Sequence, residues 1–97
     1  MSTLHVLSHS PFGDDRLNSC LRLIGSADAL LLSGDAVYAL QPGTAPFTAL
    51  HTRQIKLFVL AEDAQARAIE VPDWAKVIDY PAFVELSIQH DKVNSWL

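Results

Sequence analysis

The chain has 97 residues, of which 49% are hydrophobic and 19% charged, and its formal net charge is −4. That length holds one small domain, 1–97, with a single core and little surplus stability. Its seven basic residues (Arg16, Arg22, Arg53, Lys56, Arg67, Lys76, Lys92) are scattered, which argues against a surface that grips a phosphate backbone.

Taken in chain order, the opening MSTLHVLSHS lacks the basic region and long apolar run of a signal peptide. Within it TLHVLS reads as a short strand closed at Ser10-Pro11, because a proline pushes the residue before it out of the helical region. Asp14 and Asp15 offer an N-cap and negative charge for a helix start. Leu17, Leu21 and Ile24 then recur at helical spacing until Gly25. ADALLLS is an unalternated apolar strand of the kind covered on both faces. Strand, helix and buried strand make a βαβ unit with a right-handed crossover. SGDAVYAL has two readings: a hairpin closed at Gly34-Asp35, or a short helical turn capped by Asp35. QPGTAPF is loop by its Pro and Gly content. IKLFVL is the clearest strand, and AEDAQARAI after it is acidic first and basic later, as a helix dipole prefers. VPDWA connects to a short strand, KVIDY, and PAFVELSIQH is a final helix with Pro81 in its first turn. Strands alternating with helices predict an α/β fold: a small parallel or mostly parallel sheet of four to five strands with helices on both faces. The longest apolar runs, AVYAL and LFVLA, fall far short of the roughly 18 residues of a membrane span, so no membrane contact is expected.

In such a sheet ligands sit beyond the carboxyl ends of the strands. The residues expected there are His9, Ser10, Asp35, Glu62, Asp63, Asp79 and Tyr80. This acidic rim suits a metal or a phosphoryl group, but the stronger reading is that carboxylates at strand-to-helix junctions are simply caps. The four histidines (His5, His9, His51, His90) follow no metal-ligand spacing, and His5 and His9 share a side only if the strand runs that far. Neither a nucleotide-binding glycine motif nor a hydrolase elbow is present, so no cofactor and no self-sufficient enzyme are expected. Cys20 is the remaining candidate. It forbids an internal disulfide and fits a reducing, cytoplasmic setting. It borders the apolar stripe beyond the first turn of its helix, which favours a packed thiol, while Arg16 one turn earlier favours a thiolate.

Several strings together resemble the TusB/DsrH family. LHVLSHSPF, through Leu4, His5, Ser10 and Pro11, is similar to that family's first strand and turn, and ADALLLSGDAVYAL to its second strand and acidic turn. LFVLAEDAQARAI is similar to the third strand and helix through Leu60, Glu62, Asp63, Ala66 and Arg67. VIDYPAFVEL carries the Tyr80, Phe83 and Val84 pattern, and the chain closes with Trp96. Ala36 and Ala68 stand where the family often has glycine, so a positive φ is not expected at either. The resemblance implies a DsrE/DsrH-like fold and a subunit of a sulfur-relay complex, assembled with TusC-like and TusD-like chains, two copies of each. Such a complex passes persulfide sulfur toward 2-thiolation of the wobble uridine of tRNA, or in the sister DsrEFH complex serves sulfur oxidation. The principal sulfur-accepting cysteine belongs to the TusD/DsrE-like chain, and tRNA is reached only through later relay proteins. The expected role here is therefore structural, with no catalytic residue. The alternatives are a thiol carrier with Cys20 as the persulfide acceptor, and a small-ligand or phosphoacceptor domain using Asp35 and Glu62.

The apolar excess has two readings, apolar surface covered by a partner or simply a well-filled core. Trp96 and Leu97, large and apolar at a chain end, are expected to dock on the domain or on that partner.

Overall fold

The structure, a computed structural model, describes residues 2–96. Five parallel strands stand in the order β4-β3-β2-β1-β5: β1 Thr3–Leu7, β2 Ala29–Leu32, β3 Lys56–Leu60, β4 Lys76–Ile78 and β5 Lys92–Trp96. Four α-helices connect them: α1 Arg16–Leu23, α2 Ala45–Arg53, α3 Ala61–Ala66 and α4 Tyr80–Gln89. A 3₁₀ helix, Gly34–Leu40, follows β2.

Strand order decides where the helices go. From β1 to β4 the chain steps in one direction, so right-handed crossovers place every intervening helix on the same face. The step from β4 to β5 runs back across the sheet and places α4 alone on the other. The packing follows this division. Leu17, Cys20 and Leu21 of α1, Val37 and Leu40 of the 3₁₀ helix, Leu50 of α2 and Ala64 of α3 bury one face with Leu7, Leu30, Leu32, Leu57 and Val59. The opposite face, with Leu4, Ala29, Leu31, Leu60 and Ile78, is met by Ala82, Phe83 and Leu86 of α4. β2, at the centre, is buried throughout, which is why its four residues read ALLL without alternation.

The predicted strands, α1, α3 and α4 stand where the sequence puts them, but several local readings are corrected. SGDAVYAL is neither a hairpin nor capped by Asp35. It is a 3₁₀ helix whose N-cap position is Ser33, and its first amide, Gly34 N–H, is capped by the Asp63 carboxylate at 2.9 Å. Gly34 has φ +51°, and a Cβ there would meet the Ser8 carbonyl oxygen at 3.1 Å, so glycine is required twice over. QPGTAPF is only half loop, because Ala45 opens α2 with Pro46 in its first turn. The strand β5 was not anticipated. Its residues are mostly exposed, and it is held chiefly by the ladder to β1, from Thr3↔Lys92 to Leu7↔Trp96. Asp15 occupies the N-cap position of α1 without a side-chain bond, while Asp14 accepts from Arg16 N–H at 2.9 Å.

Ala68 overturns its expectation outright, with φ +53°. The cause is the way α3 ends. Ile69 N–H reaches back to Ala64 C=O at 2.9 Å and Ala68 N–H to Gln65 C=O at 3.2 Å, a Schellman closure that needs a left-handed residue at position 68. Ala36 lies inside the 3₁₀ helix and keeps a negative φ.

Candidate functional site: a buried thiol, a capped rim and an open helix face

Cys20 has no exposed surface and is packed among Leu7, Leu17, Leu21, Leu30 and Leu32. Burial pushes its thiol up to about 12, with the negative charge of Asp28 adding to the effect. Both effects favour the neutral thiol over the thiolate that a nucleophile requires. Arg16, which lies one turn before Cys20 in the sequence, is ion-paired with the Asp14 carboxylate.

The acidic rim is largely spoken for. Asp63 caps Gly34. Asp35 pairs with Arg67 Nε at 3.0 Å, and Arg67 Nη1 also donates to the Asp63 carbonyl oxygen at 3.2 Å. Asp79 accepts from Ala82 N–H at 2.9 Å and is the N-cap of α4. His9, Glu62 and Tyr80 are exposed. The structure thus brings Asp35, Asp63 and Arg67 together as a tie between the 3₁₀ helix and α3. Among the described residues no group of three or more His, Cys, Asp or Glu side chains is placed to hold a metal ion.

Sequence reasoning missed the most connected polar group in the molecule. β1 ends at Leu7, so His5 and His9 do not form a pair: His9 is exposed, whereas His5 is the one buried polar or charged residue among those described, at 4% exposure. Its Nε2 lies 3.3 Å from Asp28 Oδ2, and its Nδ1 lies 3.1 Å from Trp96 Nε1. Asp28 also accepts from Thr3 N–H at 2.9 Å and Gly25 N–H at 2.8 Å. The Gly25 hydrogen bond chiefly, then those of Thr3 and His5, hold this carboxyl below its usual range against the opposing effect of burial. A signal was available: a histidine inside an apolar strand needs buried partners, and the remote Asp28 and Trp96 supply them.

The remaining feature is apolar and uncovered. α4 has no buried residue, and Tyr80, Val84 and Ile88 point outward, Ile88 with 77% of its surface exposed. Val93 of the edge strand β5 stands opposite Leu4 in register, on the same sheet face, and is also exposed.

These observations define a small all-parallel α/β domain with a buried thiol and an open apolar face. The fold is that of the ychN protein from E. coli, which superposes with a TM-score of 0.76 at 19% identity, covering 98% of this chain and 99% of that one. The model of the family described as DsrH like protein matches residues 9–93. Protein TusB of Erwinia tasmaniensis is 38% identical over 95 residues, spanning 96% of this chain and 99% of its own. The relatives of the same name from Yersinia enterocolitica and Enterobacter sp. (strain 638) are each 37% identical over the same length. The chain belongs to the DsrH-like family, whose TusB members it matches from end to end, and family membership implies a subunit of a sulfur-relay complex.

Proposed function

We propose that this chain is a structural, non-catalytic subunit of a cytoplasmic sulfur-relay complex that delivers persulfide sulfur toward 2-thiolation of the wobble uridine of tRNA. TusC-like and TusD-like chains are its partners, and the principal sulfur-bearing cysteine is that of the TusD-like chain. The observation that carries this reading is the burial of Cys20: a thiol with no exposed surface and a raised pKa cannot meet a partner's persulfide unless α1 leaves the core. The open face of α4 supports the other half of the reading, since apolar side chains such as Val84 and Ile88 left in water are what a partner would cover.

The test is complementation. A strain lacking the gene is given the C20S variant, and thiolated wobble uridine is measured in its tRNA. Thiolation is expected to stay at the wild-type level, and TusC-like and TusD-like chains to co-purify. Loss of thiolation by a variant that still assembles would make Cys20 a relay thiol and overturn the reading.

A further inference from the structure

We infer that His5 is a proton-operated latch on the C-terminal strand: the neutral ring pins Trp96 to the sheet, and protonation releases it. The deduction starts from the indole, whose Nε1–H only donates. Because Trp96 Nε1 is 3.1 Å from His5 Nδ1, that nitrogen must be the bare acceptor, and the ring proton must sit on Nε2, facing Asp28. One tautomer alone satisfies both contacts. When Nδ1 takes a proton from solvent, two N–H groups face each other at 3.1 Å and the Trp96 bond cannot persist. On the other side of the ring the change is favourable, since Nε2–H of a cation now faces a carboxylate at 3.3 Å. Asp28 remains charged across the range where histidines titrate, because three hydrogen bonds favour its ionised form. Acid therefore does not simply weaken the site. It transfers the hold of His5 from β5 to the loop before β2.

β5 is the element that such a change can move. Its five residues pair with β1 alone, its side chains are mostly exposed, and Trp96 is its one residue packed against the core. The groups around His5 are few. Asp28 faces Nε2, and Cys20 on α1 is neutral. Asn94, opposite His5 in register, is uncharged. Arg53 and Lys56 line a cleft of about 520 Å³ together with Asp28. At the start of β5 the Asp91 carboxylate accepts from Ser2 N–H at 2.8 Å, a second tie that does not involve the ring.

The experiment follows the full chain from pH 8 to pH 5. Histidine-selective ¹⁵N labelling reads the protonation of each ring nitrogen, and hydrogen–deuterium exchange, corrected for intrinsic rate, compares residues 92–96 with 29–32. At pH 8 His5 is expected as the Nε2–H tautomer. As it titrates, protection of 92–96 should fall at least tenfold while that of 29–32 holds. The H5Q variant, which cannot titrate there, should give a flat profile. An Nδ1–H tautomer at pH 8, or protection of β5 that does not change through the His5 titration, overturns the inference. The same pH-dependent loss in a folded H5Q variant also overturns it, by assigning the effect to Asp91 or another group. Should H5Q fail to fold, the wild-type tautomer and exchange profile decide alone.

Discussion

The two faces of the sheet make the most instructive comparison in the molecule. One is closed by α1, the 3₁₀ helix, α2 and α3, and fifteen buried residues fill it. The other has α4 and five buried residues, so a single ten-residue helix is left to cover five strands. The imbalance is not a defect of packing. It is built into the strand order, because three successive crossovers in one direction load one face and the return step loads the other with one helix only. A chain with this topology carries its own core on one side and an unfinished one on the other. This gives the apolar excess in composition a location.

The largest effects should come from the closed face. Leu32→Ala, at a position with no exposed surface, is expected to lower stability by about 3–5 kcal/mol, transfer and cavity costs together. In a domain this small that is enough to abolish a cooperative urea transition. Trp96→Ala should cost about 2–4 kcal/mol, because the indole packs on the same cluster and is anchored by His5. A melting temperature unchanged by Trp96→Ala would mean that the closed face ends at β1 and that β5 is ornamental. Cys20→Ser belongs to the same face and is expected to cost about 1–3 kcal/mol, the penalty of burying a hydroxyl without a partner, measured by the same denaturant titration.

Acid offers a sharper cut through the closed side of the sheet. Asp28 is depressed in the folded state, so the unfolded chain takes up its proton first as pH falls. Its contribution is fully present above the unfolded value, about 3.9, and is lost as pH drops through the lower folded value. D28N should therefore lose less stability than the wild type when urea midpoints are compared between about pH 4 and pH 2. Parallel curves for the two proteins would show that Asp28 carries no such linkage.

Much of this was legible in the chain, and the misses have physical causes. Four strands and three helices announce themselves through apolar runs, and ALLL betrays a doubly covered strand. α2 was hidden behind Pro42, Gly43 and Pro46, which read as loop although a proline in the first turn is compatible with a helix. β5 carries two strand formers, Val93 and Trp96, in a mostly exposed stretch, and its pairing depends on β1 some 90 residues earlier, beyond any local pattern. The same distance hid the His5–Trp96 contact, and Asp28 stands 23 residues from His5, also beyond a local pattern. The rim carboxylates stand near strand ends as expected, and the capping reading holds for Asp63 and Asp79 but not for Asp35 or Glu62. Only the partners of Asp35 and Asp63 had to come from the fold.

Ala68 shows how the closed face tolerates a local conflict. An L-residue in the left-handed region costs about 1–2 kcal/mol, and the Schellman closure of α3 imposes it because Ala64 is packed in the core. Ala68→Gly removes that cost but gives the unfolded chain more freedom, so the net gain should be about 0.5–1 kcal/mol. A rise in melting temperature checks it, and a fall would mean that the alanine methyl has a packing role.

The smallest expected effect on the chain itself comes from the open face, and it bears most directly on the comparison. Ile88 is 77% exposed and Val84 55%, and α4 meets the sheet through Ala82, Phe83 and Leu86 instead. Replacing either outward residue by Asp should change the stability of the isolated chain by no more than about 0.5 kcal/mol, as for other surface positions away from caps and cores. The sign can even be favourable near the start of α4, where the helix dipole welcomes negative charge, but less so for Ile88 near its end. Association should respond far more strongly. A charge placed in the middle of an apolar contact must be desolvated without a partner, so I88D is expected to relieve self-association of the free chain in sedimentation and to reduce capture of TusC-like and TusD-like chains in co-purification. The opposite pairing of results, a destabilised chain that still assembles, would place Ile88 in the chain's own core and require the interface to lie elsewhere. A chain that neither self-associates as wild type nor loses its partners as I88D would leave the open face without an occupant, and the unfinished side of the sheet would have to be stable in water on its own.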